Sequence, residues 1–240
     1  MLLMMIERKE PIHSVVFFDT GWEFPGMLDH VKKLSANIWD RHRIKTWTLH
    51  PRLPFEYWMF YKPIVARKGE MKGQIHRYGN GWPSPSRRWC TARKVAQIEY
   101  YQKPIPNVVS CVGYGADEAH RIKENSTIPK RYPLIEWGIT ESDALQYCRD
   151  HGYDWDGLYD LFPRVSCYCC PLQRIGELRT LRQNFPNLWA KMLELDKLQP
   201  SHCGGFKDYK SVHSFDRRFA EEDRQMTIFD GHYPGIKTAI

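Results

Sequence analysis

A short apolar run from Ile12 to Phe18, β-branched and aromatic, is bounded by Pro11 and by Asp19-Thr20-Gly21, and predicts a buried strand ending in a functional turn. Pro25 to Trp39 carries Leu28, Val31, Leu34 and Ile38 at helical spacing, and Ile44 to Leu49 predicts a second strand. Pro51 to Pro85 is rich in aromatics, Gly and Pro, with a basic part from Lys62 to Arg77, and reads mostly as surface loop. Arg87 to Gln102 has no interior Gly or Pro and predicts a helix stopped before Pro104. Asn107 to Val112 predicts a third strand, with Gly113-Tyr-Gly-Ala-Asp-Glu118 as its turn. Strands alternating with helices in this way argue for a parallel α/β sheet with ligands at the carboxyl ends of the strands.

From Thr140 the pattern turns helical. Thr140-Glu-Ser-Asp143 can cap a helix running to about Arg149, and Leu158 to Pro163 predicts a short turn. Leu172, Ile175, Leu178, Leu181 and Phe185 recur at helical spacing, and Leu188, Trp189, Met192 and Leu195 continue the face beyond Pro186. The expected organisation is therefore an α/β domain over residues 1–139 and a helical region over 140–240, ending in a frayed tail from Gly231 to Ile240.

Composition narrows the partners. The chain has 240 residues, 42% of them hydrophobic, enough for one ordinary domain plus a small appendage. A net charge of +7 suits an anionic partner: a nucleotide, a nucleic acid, or a sulfated or phosphorylated group. Met1 to Ile6 is apolar but too short for a membrane span, and the Glu7-Arg-Lys-Glu10 that follows is no secretory leader, so a cytoplasmic protein with no membrane partner is expected. In that compartment the seven cysteines would be thiols or metal ligands.

Asp19-Thr20-Gly21 stands where backbone amides and a carboxylate hold a base or ribose, although an Asx turn explains it equally. In Gly81-Trp-Pro-Ser-Pro-Ser-Arg-Arg-Trp-Cys-Thr-Ala-Arg-Lys94, Gly81, Pro83 and Pro85 shape a loop that brings Arg87, Arg88, Thr91 and Lys94 to a helix start suited to phosphate or sulfate; the other reading is a solvated helix face. In Ala116-Asp-Glu-Ala-His-Arg121, Arg121 would reach an anion, while helix-start electrostatics account for Asp117 and Glu118 without function. Cys167 and Cys170 have the spacing of a zinc or iron ligand pair, with Cys90 the first choice for a third ligand; buried structural thiols are the competing reading. Cys148 reads as a small core residue.

Phe18-Asp-Thr-Gly-Trp-Glu-Phe-Pro25, the Gly81–Lys94 motif and Gly113-Tyr-Gly-Ala-Asp-Glu-Ala-His-Arg121 resemble successive landmarks of the phosphoadenosine phosphosulfate (PAPS) reductase family. Cys167-Tyr-Cys-Cys-Pro-Leu-Gln-Arg174 resembles the cysteine module of its often phage-associated members. The resemblance implies a Rossmann-like adenine nucleotide alpha-hydrolase (PP-loop) core with a smaller, cysteine-containing helical region. Residue by residue, it implies that Asp19, Thr20, Gly21 and Glu23 sit near the adenosine, that Arg88, Lys94 and Arg121 surround phosphate or sulfate, and that Thr91 and Gly113 complete the nucleotide site.

Two departures from the family bear on these expectations. Family members begin with a strand and a Ser-Gly-Gly-x-Asp-Ser loop, whereas Met1-Leu-Leu-Met-Met-Ile6 reads as the middle of the following helix; the loop is absent from this sequence, which implies impaired nucleotide binding and exposed sheet edges. Only Ser201-His-Cys-Gly-Gly205 offers a Cys-Gly pair for the family's C-terminal nucleophile, which makes Cys203 the candidate thiolate.

The implied activity is sulfur transfer or sulfonucleotide reduction on PAPS, adenylyl sulfate or ATP, with a thioredoxin-like reductant and a 4Fe-4S cluster or zinc. A close variant resembles DNA phosphorothioation sulfurtransferases. From a different class comes a non-catalytic, metal-containing nucleic-acid or protein-binding module, with Arg67, Lys68, Lys72 and Arg77 contacting phosphate and Tyr61, Tyr78 and Trp82 stacking on bases.

Overall fold

The computed structural model describes residues 1–122, 127–200 and 202–229, the side chains of 226–229 excepted. Gly231 to Ile240 and Ser201 lie outside the described residues. Along the chain run α1 (Leu2–Glu7), β1 (Ser14–Phe18), α2 (Pro25–His42), β2 (Lys45–Leu49), a π-helical turn (Tyr57–Tyr61), β3 (Pro63–Val65), β4 (Ile75–Tyr78), α3 (Trp89–Gln102) and β5 (Ser110–Cys111). A 3-10 turn (Ala116–Arg121), β6 (Lys130–Arg131), α4 (Pro133–Glu136), α5 (Glu141–Asp150), a second 3-10 turn (Trp155–Gly157), α6 (Leu158–Leu161), α7 (Ile175–Asn184), α8 (Pro186–Lys197) and α9 (Val212–Phe229) follow.

These elements form two compact units, each assembled from two stretches of chain. The first takes Met1–Pro54 and Cys90–Cys167; the second takes Phe55–Trp89 and the chain from Tyr168 onward. A cut after residue 139 thus runs through the first unit.

In the first unit β1 and β2 pair in parallel from Ser14↔Lys45 to Phe18↔Leu49, with α2 as the crossover. Pro25 occupies the first turn of α2, where its missing N–H is harmless, and Ile38 of the expected apolar face is buried. Gly26 admits the chain beside it: a Cβ there would lie 2.9 Å from the Cβ of Asp156. Phe18, Trp22, Phe24, Leu134, Leu158 and Phe162 are buried, the rings of Phe24 and Phe162 being 5.2 Å apart. The expected third strand shrinks to Ser110–Cys111, because Asn107 turns at φ 54° and Val109 is 50% exposed; it pairs in parallel with β6. Thr140 and Asp143 make the expected capping box at the start of α5, each side chain accepting the other's backbone N–H at 3.1 and 3.0 Å.

The second unit corrects the reading of Pro51 to Pro85 as mostly surface loop. Phe55, Met59, Phe60 and Trp82 are buried, and β3 and β4 form an antiparallel hairpin. Exposure is confined mainly to the hairpin tip, residues 67–76, where Arg67, Lys68 and Lys72 lie. Leu178, Leu181, Leu188, Trp189 and Met192 are buried on α7 and α8, with Pro186 starting the second helix; Leu172 is 42% exposed and lies off that face. Arg182 ties α7 to α9 by donating to Asp216 at 2.9 Å and Asp223 at 2.7 Å.

The architecture is mixed α/β. Among the described residues the strands form three separate pairs, two parallel and one antiparallel. Among those residues, too, no helix is long and apolar enough to cross a membrane.

Candidate functional site

The turn after β1 continues the parallel ladder for one residue, the N–H of Asp19 donating to the carbonyl of Leu49 at 2.9 Å. The Asp19 carboxylate then accepts the N–H of Gly21 at 2.8 Å, the Asx turn foreseen as the plain reading, and lies 3.7 Å from Nδ1 of His50. Gly21 has φ +79°, and a Cβ there would meet nothing within 4 Å, so the backbone is open on that side.

Thr20 is buried, and its hydroxyl both accepts and donates. It accepts the N–H of Trp22 at 3.1 Å and donates to Oε1 of Glu23 at 2.9 Å. The thiol of Cys167 completes the cluster, 3.5 Å from the Thr20 hydroxyl and donating to Oε1 of Glu23 at 3.6 Å. Two motifs 147 residues apart therefore meet at the carboxyl end of a parallel strand. The carboxylate stabilises the thiol proton and repels a thiolate, so sulfur chemistry here needs a cation or a group that discharges Glu23.

Elsewhere in the first unit Arg121 is held by an ion pair to Glu118 and lies 4.1 Å over the Tyr114 ring. Arg164 approaches the same carboxylate at 3.8 Å, leaving the trio with one net positive charge. The expected helix at Ala116 is a six-residue 3-10 turn. Gly113 is exposed beyond β5, and Thr91 and Lys94 are exposed on α3, which buries no side chain.

In the second unit the Gly81 loop and Cys203 come together. Gly81 is buried with φ +67°; a Cβ on it would fall 2.5 Å from the Cβ and 2.6 Å from the Sγ of Cys203, so only glycine fits. Trp89 donates its indole N–H to the Gly81 carbonyl at 3.1 Å, and Trp82 donates to the buried Asp196 at 3.0 Å. Trp82, 2% exposed and packed edge-on to Phe206, is a core residue, which corrects its reading as a base-stacking side chain. Arg88 is exposed. Burial pushes the Cys203 thiol above its ordinary pKa, while Arg87 and Arg77 pull it down.

None of the seven cysteines forms a disulfide. Cys90 and Cys167 belong to the first unit and Cys170 to the second, all three half-buried. Among the described residues no three His, Cys, Asp or Glu side chains converge to hold a metal ion, so no step is derived through one. Sequence reasoning missed Arg164 beside Glu118 and Asp196 beneath Trp82; both lie far along the chain from their partners, and no local pattern announces them. It also named Cys167 and Glu23 without linking them.

The chain is similar to two uncharacterized proteins of Methanocaldococcus jannaschii. MJ0066 is 26% identical over 194 residues, covering 74% of this chain and 35% of the relative. MJ0973 is 25% identical over 196 residues, covering 77% and 41%. The chain spans well under half the length of these curated relatives. No family model matches it, and no solved structure does.

Proposed function

We propose that the chain takes part in adenine-nucleotide-dependent sulfur transfer or sulfonucleotide reduction, on a Rossmann-like, PP-loop-type nucleotide-binding core. The observation that carries this reading is the Asp19–Glu23 turn: a parallel strand ends in an open glycine, a carboxylate and a buried hydroxyl, with a cysteine thiol within hydrogen-bonding reach. Ligands of open α/β sheets bind outside such strand ends. The resemblance of the Gly81–Lys94 and Gly113–Arg121 motifs to PAPS reductases points the same way.

On this reading Asp19, Thr20, Gly21 and Glu23 receive the nucleoside, while Arg88, Thr91, Lys94, Gly113 and Arg121 serve its anionic groups. Cys203 is the nucleophile that the family resemblance supplies; burial raises its thiol, and Arg87 and Arg77 pull it back toward the thiolate. Its thiolate attacks the sulfonyl sulfur; an S–S bond forms, the S–O bond to phosphate breaks, and the nucleotide phosphate leaves. A dithiol reductant of the thioredoxin type then reduces the cysteine S-sulfonate, releasing sulfite and itself becoming a disulfide. The zinc or 4Fe-4S cluster that the cysteine spacing suggested is a separate proposal with no converging ligand set among the described residues, and anaerobic purification with metal analysis tests it.

Calorimetric titration with PAPS, adenylyl sulfate and ATP tests the nucleotide site. Saturable binding to at least one, lost in Asp19→Ala and Lys94→Ala, is expected. Sulfite release should disappear in Cys203→Ser and persist in Cys167→Ser; the opposite pattern would move the nucleophile to Cys167. Binding to none of the three at millimolar concentration would sink the reading.

A further inference from the structure

A second feature of the first unit lies at the other end of the strands. Lys45 and Trp47, two residues apart, share one face of β2, beside Ser14 and Val16 of β1. Tyr101 of α3 closes onto that face, its hydroxyl 3.2 Å from Oγ of Ser14 and its ring 6.1 Å from that of Trp47. Around them opens a cavity of about 1010 Å³, walled by Trp47, Tyr100 and Tyr101. Its basic side chains are His13, Arg43, Lys45 and Lys103, and no lining residue is acidic. Trp47, its wall residue nearest the turn, pairs with Val16, three residues or about 10 Å along the strand from Asp19, and no residue of the Asp19–Glu23 turn lines it, so it is distinct from the nucleotide site proposed above.

Three observations give the cavity a chemistry. Trp47 is 45% and Tyr100 78% exposed, so two large flat rings stand in water beside cations. Among the described residues no carboxylate pairs with Arg43, Lys45 or Lys103; Arg43 has only the Trp39 ring, at 5.6 Å. Arg43 also ends α2 at φ 57°, a left-handed position usually given to glycine. The negative ends of α2 and α3 account for cations at Arg43 and Lys103, but not for Lys45 on the strand or for the open rings.

We propose that this cavity binds single-stranded nucleic acid, with one or two bases stacking on Trp47 and Tyr100 and the neighbouring phosphates meeting Lys45, Lys103 and Arg43. Exposed aromatics interleaved with unpaired cations recognise a flexible polyanion with flat faces, and they do so with little regard to sequence. The inference does not depend on sulfonucleotide chemistry.

Anisotropy of fluorescein-labelled 12-mers of dT and U, at 50 and 200 mM KCl with the whole chain, tests the proposal. Saturable binding that weakens with salt is expected. Trp47→Ala combined with Tyr100→Ala should weaken it roughly tenfold or more, while Trp47→Phe, which keeps a stacking face, should stay within about threefold of wild type. Lys45→Glu with Lys103→Glu should weaken it further and flatten the salt slope. Reversal of the hairpin charges at Arg67, Lys68 and Lys72 should change it less than about twofold. Matching circular dichroism and melting temperatures confirm that the variants fold. No binding at 50 mM KCl, binding that survives both cavity variants, or loss on hairpin reversal instead would each overturn the proposal. So would full displacement of the 12-mer by an equal concentration of AMP, which would assign the cavity to a mononucleotide.

Discussion

Cys167 in the first unit and Cys203 in the second are the same chemical group in opposite electrostatic settings. Cys167 donates toward the Glu23 carboxylate, which favours the protonated sulfur, and sits beside the Thr20 hydroxyl. Cys203 feels Arg87 and Arg77, yet burial raises it above an ordinary thiol. The first is held by hydrogen bonds and the second by packing against Gly81. A charged neighbour is therefore a poor guide to reactivity unless the cost of burial is weighed with it.

The largest effect that would break this comparison is steric. Gly81→Ala forces a Cβ against Cys203 at a positive φ and should cost the protein about 3 kcal/mol, read as a lower urea midpoint. Adding Cys203→Gly should return part of the loss; full additivity of the two changes would show that they do not meet. Asp196→Ala, which orphans the buried indole N–H of Trp82, should cost about 2 kcal/mol by the same measurement.

Chemical probes sharpen the contrast. Glu23→Gln removes the charge beside Cys167 and should speed its alkylation by iodoacetamide at neutral pH, by roughly threefold to tenfold when followed by peptide mass spectrometry. Arg87→Ala should slow alkylation of Cys203, because it removes a charge that favours the thiolate. An unchanged rate in either variant would mean that the named charge does not govern that sulfur.

The smallest effect is in pH. The folded Cys203 keeps its proton above the ordinary thiol pKa, where the unfolded chain has lost it, so its contribution to stability is present below that pKa and declines as pH rises through the folded value. Cys203→Ser should lessen the alkaline loss of stability in urea titrations at stepped pH. Burial raises Cys111 and Cys148 in the first unit likewise, so the slope should shrink without vanishing.

Much of the first unit was legible because its signals are local. The Ile12–Phe18 run, the α2 spacing and the Thr140 cap each decide their own element within a few residues. The second unit hid its core inside a stretch whose Gly and Pro content suggested a surface. Phe55, Met59 and Phe60 do carry a helical spacing there, but composition outweighed periodicity. At the site, the Asx turn and the Gly81 loop were readable from their residue types. The meetings of Thr20 with Cys167 and of Gly81 with Cys203 were not, since spacing along the chain says nothing about contacts made across more than a hundred residues.

The interleaving of the two units sets a timetable for the chain as it leaves the ribosome. Trp82 must wait for Asp196, 114 residues later, roughly 6 to 23 seconds at ordinary elongation rates. Through that interval the aromatic stretch from Phe55 to Trp82 has no finished core to enter, while residues of the first unit are still being added between its two halves. Slower translation would lengthen the interval during which this segment is open to chaperones and to other nascent chains.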